Sequence, residues 1–249
     1  MAVVLKLREI EIIVDDGRAV CRLLISWGKP SRSHMLSFVE ISRRDRTKGW
    51  SHGSGWGVLY ARKGSYGVYK STSPIWESFV EPPDGYLLYL FHSRLASVGA
   101  VSLANTHPII YGRYAIAHNG TIDKEAFGRE LKQLGVDTRT GGSTDTELFL
   151  KAFVDLGGEV KHLRLLARLA AKHLDPEEPL LNMAIVDLEA ASAYFITHRA
   201  SEDPHFIPVK RQGDMLIASE PLDEGPWSPI PNGSLVILDE GGVKIERLW

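Results

Sequence analysis

Hydrophobic and polar positions along the chain follow two different periods, one typical of strands and one typical of helices. Residues 21–27 form a compact apolar run that predicts a buried strand, whereas residues 33–44 place apolar side chains at helical spacing. Further strands are predicted at residues 53–71, as a pair joined by a turn at Gly64, and at residues 86–92 and 111–117. The first half of the chain is therefore predicted to consist mainly of strands with one helix.

The helical period is most regular in the middle of the chain. Residues 124–134 carry apolar side chains on one face, and Gly135 follows as a stop signal. A second helix is predicted where Thr144 and Glu147 have the spacing of a capping box, and a third at residues 159–174. Strand-like runs then follow at residues 181–188, 192–197, 205–210, 214–218, 234–238 and 243–247. Strands, helices and again strands, with no flexible linker between them, predict a single layered domain with largely antiparallel sheets.

Composition and charge narrow the class of protein. The 249 residues are 44% hydrophobic and 24% charged, which is typical of a globular protein with one substantial core. A formal net charge of −2 provides no general basic field for nucleic acid or for an anionic membrane. Charged residues interrupt the apolar positions of residues 1–20, and no later run approaches the roughly 18 apolar residues of a membrane span. We therefore expect a cytoplasmic protein without nucleic-acid or membrane partners.

Cys21 is the only cysteine in the chain, and it opens the first buried strand. A single thiol excludes an internal disulfide and a multi-thiolate metal site within one chain. Taken alone, a cysteine beside leucine and isoleucine is most often an inert core residue; the alternative is a nucleophile. The histidines of the polar stretches lack the spacing of metal ligands, so we expect no metal and no cofactor.

Five short polar stretches follow predicted strands or occupy turns, where functional residues concentrate. They are "HGSGWG" at 52–57, "HSRLASVG" at 92–99, "NTHP" at 105–108, "AHNG" at 117–120 and "GGSTDTE" at 141–147. Each stretch alone is weak evidence, because histidine turns and acidic first helical turns are common.

Together with "CRLL" at Cys21 and "ASEP" at Ala218, these stretches resemble the class II glutamine amidotransferases, which are N-terminal nucleophile hydrolases. The resemblance is strongest to the small stand-alone type whose mature chain begins Cys-Arg-Leu-Leu. The motifs occur in the order and spacing of that family and span nearly all of residues 21–249. The resemblance implies an α+β fold, a four-layer αββα sandwich of two antiparallel sheets covered by helices.

The same resemblance assigns the catalytic roles. Cys21 would attack the γ-amide carbon of glutamine, and its own α-amino group, with an ordinary pKa of about 8, would serve as the base. The side-chain amide of Asn119 and the backbone N–H of Gly120 would stabilise the oxyanion.

Substrate recognition is assigned in the same way. Arg94 would bind the α-carboxylate of glutamine through its forked guanidinium, and Asp145 would bind the α-ammonium. Ser97, His107 and Gly142 complete the predicted substrate site, with Gly142 supplying backbone freedom beside Asp145.

The substrate and the fate of the ammonia have more than one interpretation. The chain could hydrolyse glutamine or another γ-glutamyl compound, and it could pass ammonia to a separate synthase subunit or release it. It could also be a catalytically silent protein that binds glutamine through Arg94 and Asp145.

The possibility that the protein is catalytically silent arises from residues 1–20, which precede the predicted amidotransferase domain at 21–249. An internal Cys21 has an amide nitrogen where the mechanism needs an amine. Three hypotheses are open: residues 1–20 are a propeptide removed by self-cleavage; translation begins at Val20, read as an initiator methionine that is then removed; or the extension stays and the protein is inactive.

Overall fold

The structure is a computed structural model that describes residues 20–96 and 99–249. Apart from Val20, the predicted N-terminal extension lies outside the described residues, as does Ser97 of the predicted substrate site.

Within the described residues, the strands form two antiparallel sheets. The seven-stranded sheet contains β1 (Arg22–Trp27), β2 (Trp56–Arg62), β3 (Ser65–Ser71), β4 (Leu88–Ser93), β9 (Val209–Arg211), β10 (Leu216–Ala218) and β11 (Trp227–Pro229), in the order β11-β9-β10-β1-β4-β2-β3. The six-stranded sheet contains β5 (Ile109–Tyr111), β6 (Tyr114–Asn119), β7 (Leu180–Asp187), β8 (Ser192–Arg199), β12 (Ser234–Asp239) and β13 (Gly242–Arg247), in the order β13-β12-β8-β7-β6-β5.

The helices cover the outer faces of the two sheets. They are α1 (Arg32–Arg43), α2 (Ile75–Ser78), α3 (Lys124–Gln133), α4 (Asp145–Asp155) and α5 (Val160–Ala170), with short 3-10 turns at Ala171–His173 and Pro204–Phe206. Across the described ranges, the structure has no helix that is both long and apolar enough to cross a membrane.

Three apolar clusters hold the layers together. Because side chains alternate along a strand, Leu23 and Ile25 of β1 lie in the core between the sheets, whereas Leu24 packs outward with α1. The outer face of the six-stranded sheet packs against α3, α4 and α5, for example through Phe127 and Phe149. The predicted four-layer αββα sandwich is confirmed.

Three predicted elements differ from the structure. Residues 111–117 are not one strand, because a turn separates β5 from β6. The third predicted helix, 159–174, ends as α5 at Ala170 and tightens into a 3-10 turn. Residues 205–210 begin in a 3-10 turn, where the Asp203 side chain accepts from the N–H of His205, and only then enter β9. Helix α2 and strand β11 are too short to show a period in the sequence.

The topology brings one end of several strands together. Arg22, the first residue of β1, pairs with Ser93, the last residue of β4, and Leu24 pairs with Ala218 at the end of β10. The segments just before β1 and just after β4 and β10 therefore meet at one end of the seven-stranded sheet, where these inner strands begin or end.

Candidate active site

Most of the predicted site residues line one pocket at this end of the sheet. Cys21, Arg94, His107, Gly120 and Asp145 all line it. The remaining lining residues were not predicted as site residues: Leu95, Asn105, His118, Thr121, Thr144 and Thr146. All of them except Thr121 lie inside the polar motifs, and Thr121 directly follows one, so proximity to a motif is the signal that could have found them.

The thiol of Cys21 is held in its neutral form. Its Sγ donates a hydrogen bond to the carbonyl of Leu95 at 3.6 Å. Burial raises the pKa of the Cys21 thiol to about 12, against which the nearby positive charges of Arg94 and Arg22 act only weakly. A thiol in this state needs a base to remove its proton before it can attack a carbonyl.

Val20 precedes Cys21 and is fully buried. Its side chain packs in a small apolar cluster with Leu180 and Phe206, which Trp50 also contacts. In this form of the chain the nitrogen of Cys21 is an amide nitrogen, which cannot act as a base at neutral pH.

Asn119 is the last residue of β6 and Gly120 follows it; Gly120 lines the pocket, whereas Asn119 is not among the lining residues. Asn119 is buried, and its Nδ2 lies 3.5 Å from the Oγ of Ser219, while its Oδ1 has no hydrogen-bond partner among the described residues. Gly120 has a φ of +132°, and a Cβ at this position would collide with the carbonyl oxygen of Leu180. Only glycine therefore allows the chain to turn here so close to β7.

Arg94 and Asp145 place opposite charges on the pocket wall. Arg94 follows β4, and its guanidinium donates to the carbonyls of Ala100 at 3.0 Å and Gly99 at 3.1 Å. Asp145 is the first residue of α4, and its carboxylate accepts from the N–H of Ile122 at 2.8 Å. Both side chains are nearly buried, so their charges are weakly screened by water.

The capping box predicted for α4 forms only in part. The Thr144 side chain accepts from the N–H of Glu147, as predicted. The Glu147 carboxylate instead accepts from the N–H groups of Gly141 and Gly142, at 2.8 and 2.6 Å. Gly142 therefore belongs to the loop that leads into α4 and is not among the residues that line the pocket.

Three buried histidines lie at the pocket: His107 and His118 line it, and His92 contacts both of them. The Nε2 of His92 is 3.0 Å from the carbonyl of His118 and 3.2 Å from the Nδ1 of His107, and His118 Nδ1 is 3.2 Å from Thr146 Oγ1. Burial lowers the pKa of His92 to about 3, and it also lowers the pKa values of His107 and His118. At neutral pH these rings are uncharged and link the strands to α4.

Asp45, His205 and Glu220 are grouped closely enough to hold a metal ion. The structure already has a cation between them, because Nη2 of Arg22 lies 2.9 Å from Asp45 Oδ2, 2.8 Å from Glu220 Oε1 and 3.1 Å from His205 Nδ1. These three side chains therefore surround a buried arginine, and the group is called the arginine cluster below. No pattern in the sequence indicated that these four residues would meet.

Two relatives found by comparison with known proteins carry the same name. No family model matches the chain. It is 31% identical over 188 residues to a glutamine–fructose-6-phosphate aminotransferase (isomerizing) of Mesorhizobium japonicum, covering 67% of this chain and 28% of the relative. A protein of the same name from Caulobacter vibrioides is 27% identical over 172 residues, covering 63% of this chain and 27% of the relative. The chain thus spans less than a third of the length of these relatives.

Solved structures agree on the fold. The glutamine phosphoribosylpyrophosphate amidotransferase of B. subtilis, complexed with ADP and GMP, superposes with a TM-score of 0.66 at 17% identity, covering 92% of this chain and 49% of that one. A glutamine aminotransferase class-II domain protein from Silicibacter pomeroyi superposes with a TM-score of 0.58 at 18% identity, covering 92% of this chain and 100% of that one. The homologues and structural neighbours are class II glutamine amidotransferases, an enzyme class. The fold is that of the N-terminal nucleophile hydrolases.

Proposed function

We propose that the chain hydrolyses the γ-amide of glutamine, or of a related γ-glutamyl compound, through a thioester on Cys21. The observation that carries this proposal is the convergence of Cys21, Gly120, Arg94 and Asp145 on one pocket. A nucleophile, a backbone turn suited to an oxyanion and two opposite charges are the parts that such a reaction requires.

The reaction has two stages. The α-amine of Cys21 takes the thiol proton, sulfur forms a bond to the γ-carbonyl carbon, and the oxygen becomes negatively charged. Asn119 and Gly120 supply the hydrogen-bond donors for that oxygen. The C–N bond then breaks, the proton passes to the leaving nitrogen, and ammonia or an amine departs. Water next attacks the thioester while the α-amine takes its proton, and a second oxyanion forms. The C–S bond then breaks, the proton passes to the sulfur, and glutamate is released with the Cys21 thiol restored.

Recognition of the amino-acid end of the substrate rests on Arg94 and Asp145. A forked guanidinium fits a carboxylate, and a fixed carboxylate fits an ammonium group. The carbonyls of Gly99 and Ala100 fix the Arg94 fork, and the N–H of Ile122 fixes the Asp145 carboxylate. A substrate lacking either charge leaves one of these groups without its counterpart and is rejected.

Asp145→Asn is expected to raise KM for glutamine by about ten- to a hundredfold, since a charge-assisted hydrogen bond contributes roughly 1.5–3 kcal/mol. Asparagine keeps an oxygen that can accept from the N–H of Ile122, so the substitution removes charge and little structure. The measurement is steady-state glutamate release over a range of glutamine concentrations. Asp155→Asn, at the exposed far end of α4, is the matched control. An equal KM for both variants would contradict the role of Asp145.

The active form has a free α-amino group on Cys21. While Val20 is attached, the proposed base is an amide, and the chain is a silent γ-glutamyl-binding form. Self-cleavage at the Val20–Cys21 bond, or translation from position 20 followed by removal of the initiator methionine, would each expose the amine in the domain formed by residues 21–249. Intact-mass measurement of the protein from its native cells distinguishes the retained extension from these two.

The ammonia is passed to a synthase partner or is released into solution. The curated relatives are named as aminotransferases, and this chain matches less than a third of their length. Comparing glutamate release from glutamine and from γ-glutamyl peptides tests whether free hydrolysis is the activity. Release from peptides at a higher kcat/KM than from glutamine would favour a γ-glutamyl hydrolase over an ammonia donor.

A further inference from the structure

A buried charged cluster lies directly behind the nucleophile, centred on Arg22. The Nη1 of Arg22 donates to the carbonyl oxygen of Cys21 at 3.1 Å, while Nη2 lies among Asp45, Glu220 and His205. The Arg22 and Asp45 side chains are fully buried. One guanidinium therefore joins the backbone of the nucleophile to three other segments of the chain.

The anions around Arg22 are themselves held by backbone groups. The Asp45 carboxylate accepts from the N–H of Lys48 at 2.7 Å and from the N–H of Gly49 at 3.0 Å, and it also pairs with His52. The Glu220 carboxylate accepts from the N–H of Arg46 at 3.1 Å. The positions of both carboxylates are thus fixed by the loop that follows α1.

Stability alone does not explain this arrangement. Taking a guanidinium and two carboxylates out of water is costly, and well-packed apolar side chains of similar volume are often equally stabilising. Burial raises the pKa of Glu220, because the charged carboxylate loses its contact with water, whereas hydrogen bonding and Arg22 hold the pKa of Asp45 well below its usual range.

Leu23, which follows Arg22 on β1, links this strand to the proposed oxyanion site. The N–H of Leu23 donates to the Oγ of Ser219 at 2.9 Å, and the same Oγ lies 3.5 Å from Nδ2 of Asn119. Ser219 directly precedes Glu220. A shift of the first residues of β1 would therefore move both the nucleophile and the oxyanion donor.

We propose that Arg22 is a positioning residue that holds the carbonyl of Cys21 and so fixes the thiol and α-nitrogen beside Asn119 and Gly120. This inference rests on the proposed function. Arg22 is not among the pocket-lining residues, so it acts on the reaction through Cys21.

The test is Arg22→Lys in the form that begins at Cys21. Lysine keeps the charge, but one ammonium cannot reach both the Cys21 carbonyl and the two carboxylates as the fork does. We expect kcat for glutamine to fall by about ten- to a hundredfold, while KM stays within about twofold, because small misplacements of a reacting group have effects of that size. Wild-type kcat in the folded variant, or a loss carried by KM alone, would overturn the inference.

Two further variants keep the test decisive. Arg164→Lys is the control, since Arg164 on α5 binds Glu246 and the carbonyl of Leu248, away from the pocket residues. If Arg22→Lys unfolds at a lower temperature than this control, Glu220→Gln replaces it, because glutamine keeps the shape of the side chain. A kcat loss of at least about threefold with unchanged KM is then expected, and an unchanged kcat would overturn the inference.

Alkylation separates this inference from the proposed function. Because Cys21 is the only cysteine, iodoacetamide reports on it without other substitutions. We expect faster alkylation in Arg22→Lys than in Arg164→Lys, since the thiol is no longer held against the Leu95 carbonyl. Equal alkylation rates would overturn the inference, whether or not the wild-type chain hydrolyses glutamine. Failure of the wild-type chain to hydrolyse glutamine would instead contradict the proposed function.

Discussion

Replacing Cys21 by alanine is expected to reduce glutamate release from glutamine by at least about a thousandfold, because the thioester cannot form without the sulfur. Among the described residues the thiol makes one hydrogen bond, a long one to the Leu95 carbonyl, so its loss should leave the fold intact. The measurement is single-turnover and steady-state glutamate release, with the melting temperature as a check on folding.

Glutamine binding distinguishes a lost nucleophile from a lost pocket. Arg94 and Asp145 are unchanged in Cys21→Ala, so calorimetry should show glutamine binding close to that of the parent chain. Substantial hydrolysis by the alanine variant would mean that another group attacks the amide and would contradict the account.

Asn119→Ala is expected to lower kcat by about 10²- to 10³-fold, with KM changed little. The amide of Asn119 is proposed to donate to the oxygen only when that oxygen becomes negative, and losing one such donor has effects of that size. Initial rates at saturating and at low glutamine separate the two constants.

Asn182→Ala is the matched control for Asn119→Ala. Asn182 is also buried, lies directly opposite Asn119 on β7, and donates to the carbonyl of Phe206 at 2.9 Å. It therefore reproduces the structural loss of a buried asparagine at the same level of the sheet. Similar kcat values for the two variants would assign the effect of Asn119 to packing and not to the oxyanion.

The elements that depend on local pattern could be predicted from the sequence. The apolar run of β1 and the cap at Thr144 are set by neighbouring residues, and the structure has both near the predicted positions. Glu147 was assigned correctly to the first turn of α4, but its carboxylate binds the glycines before the helix, because their N–H groups lie within its reach.

The arginine cluster could not be predicted because its members are distant in the chain. Arg22 and Glu220 meet only when β10 pairs with β1, and His205 joins them from a turn that the sequence pattern indicated as a strand. A local spacing rule finds helical histidine pairs or capping boxes, but it contains no information about pairing between distant strands. The fold had to be known before Arg22 could be separated from an ordinary charged residue.

The raised pKa of Cys21 makes the base the critical element of the mechanism. A thiol that does not ionise by itself depends on a neighbouring group, and the only candidate that the proposed mechanism provides is the α-amine of the same residue. The chemical state of the Val20–Cys21 bond therefore determines whether the assembled pocket can turn over its substrate.

The most direct test compares two purified forms, one that begins at Cys21 and one that retains a single blocking residue before it. Intact-mass spectrometry verifies both N termini, and glutamate release from glutamine is then measured under identical conditions. The account predicts turnover by the form that begins at Cys21 and a loss of at least about a hundredfold when the amine is blocked. Equal turnover by the two forms, or none by the form with the free amine, would contradict it.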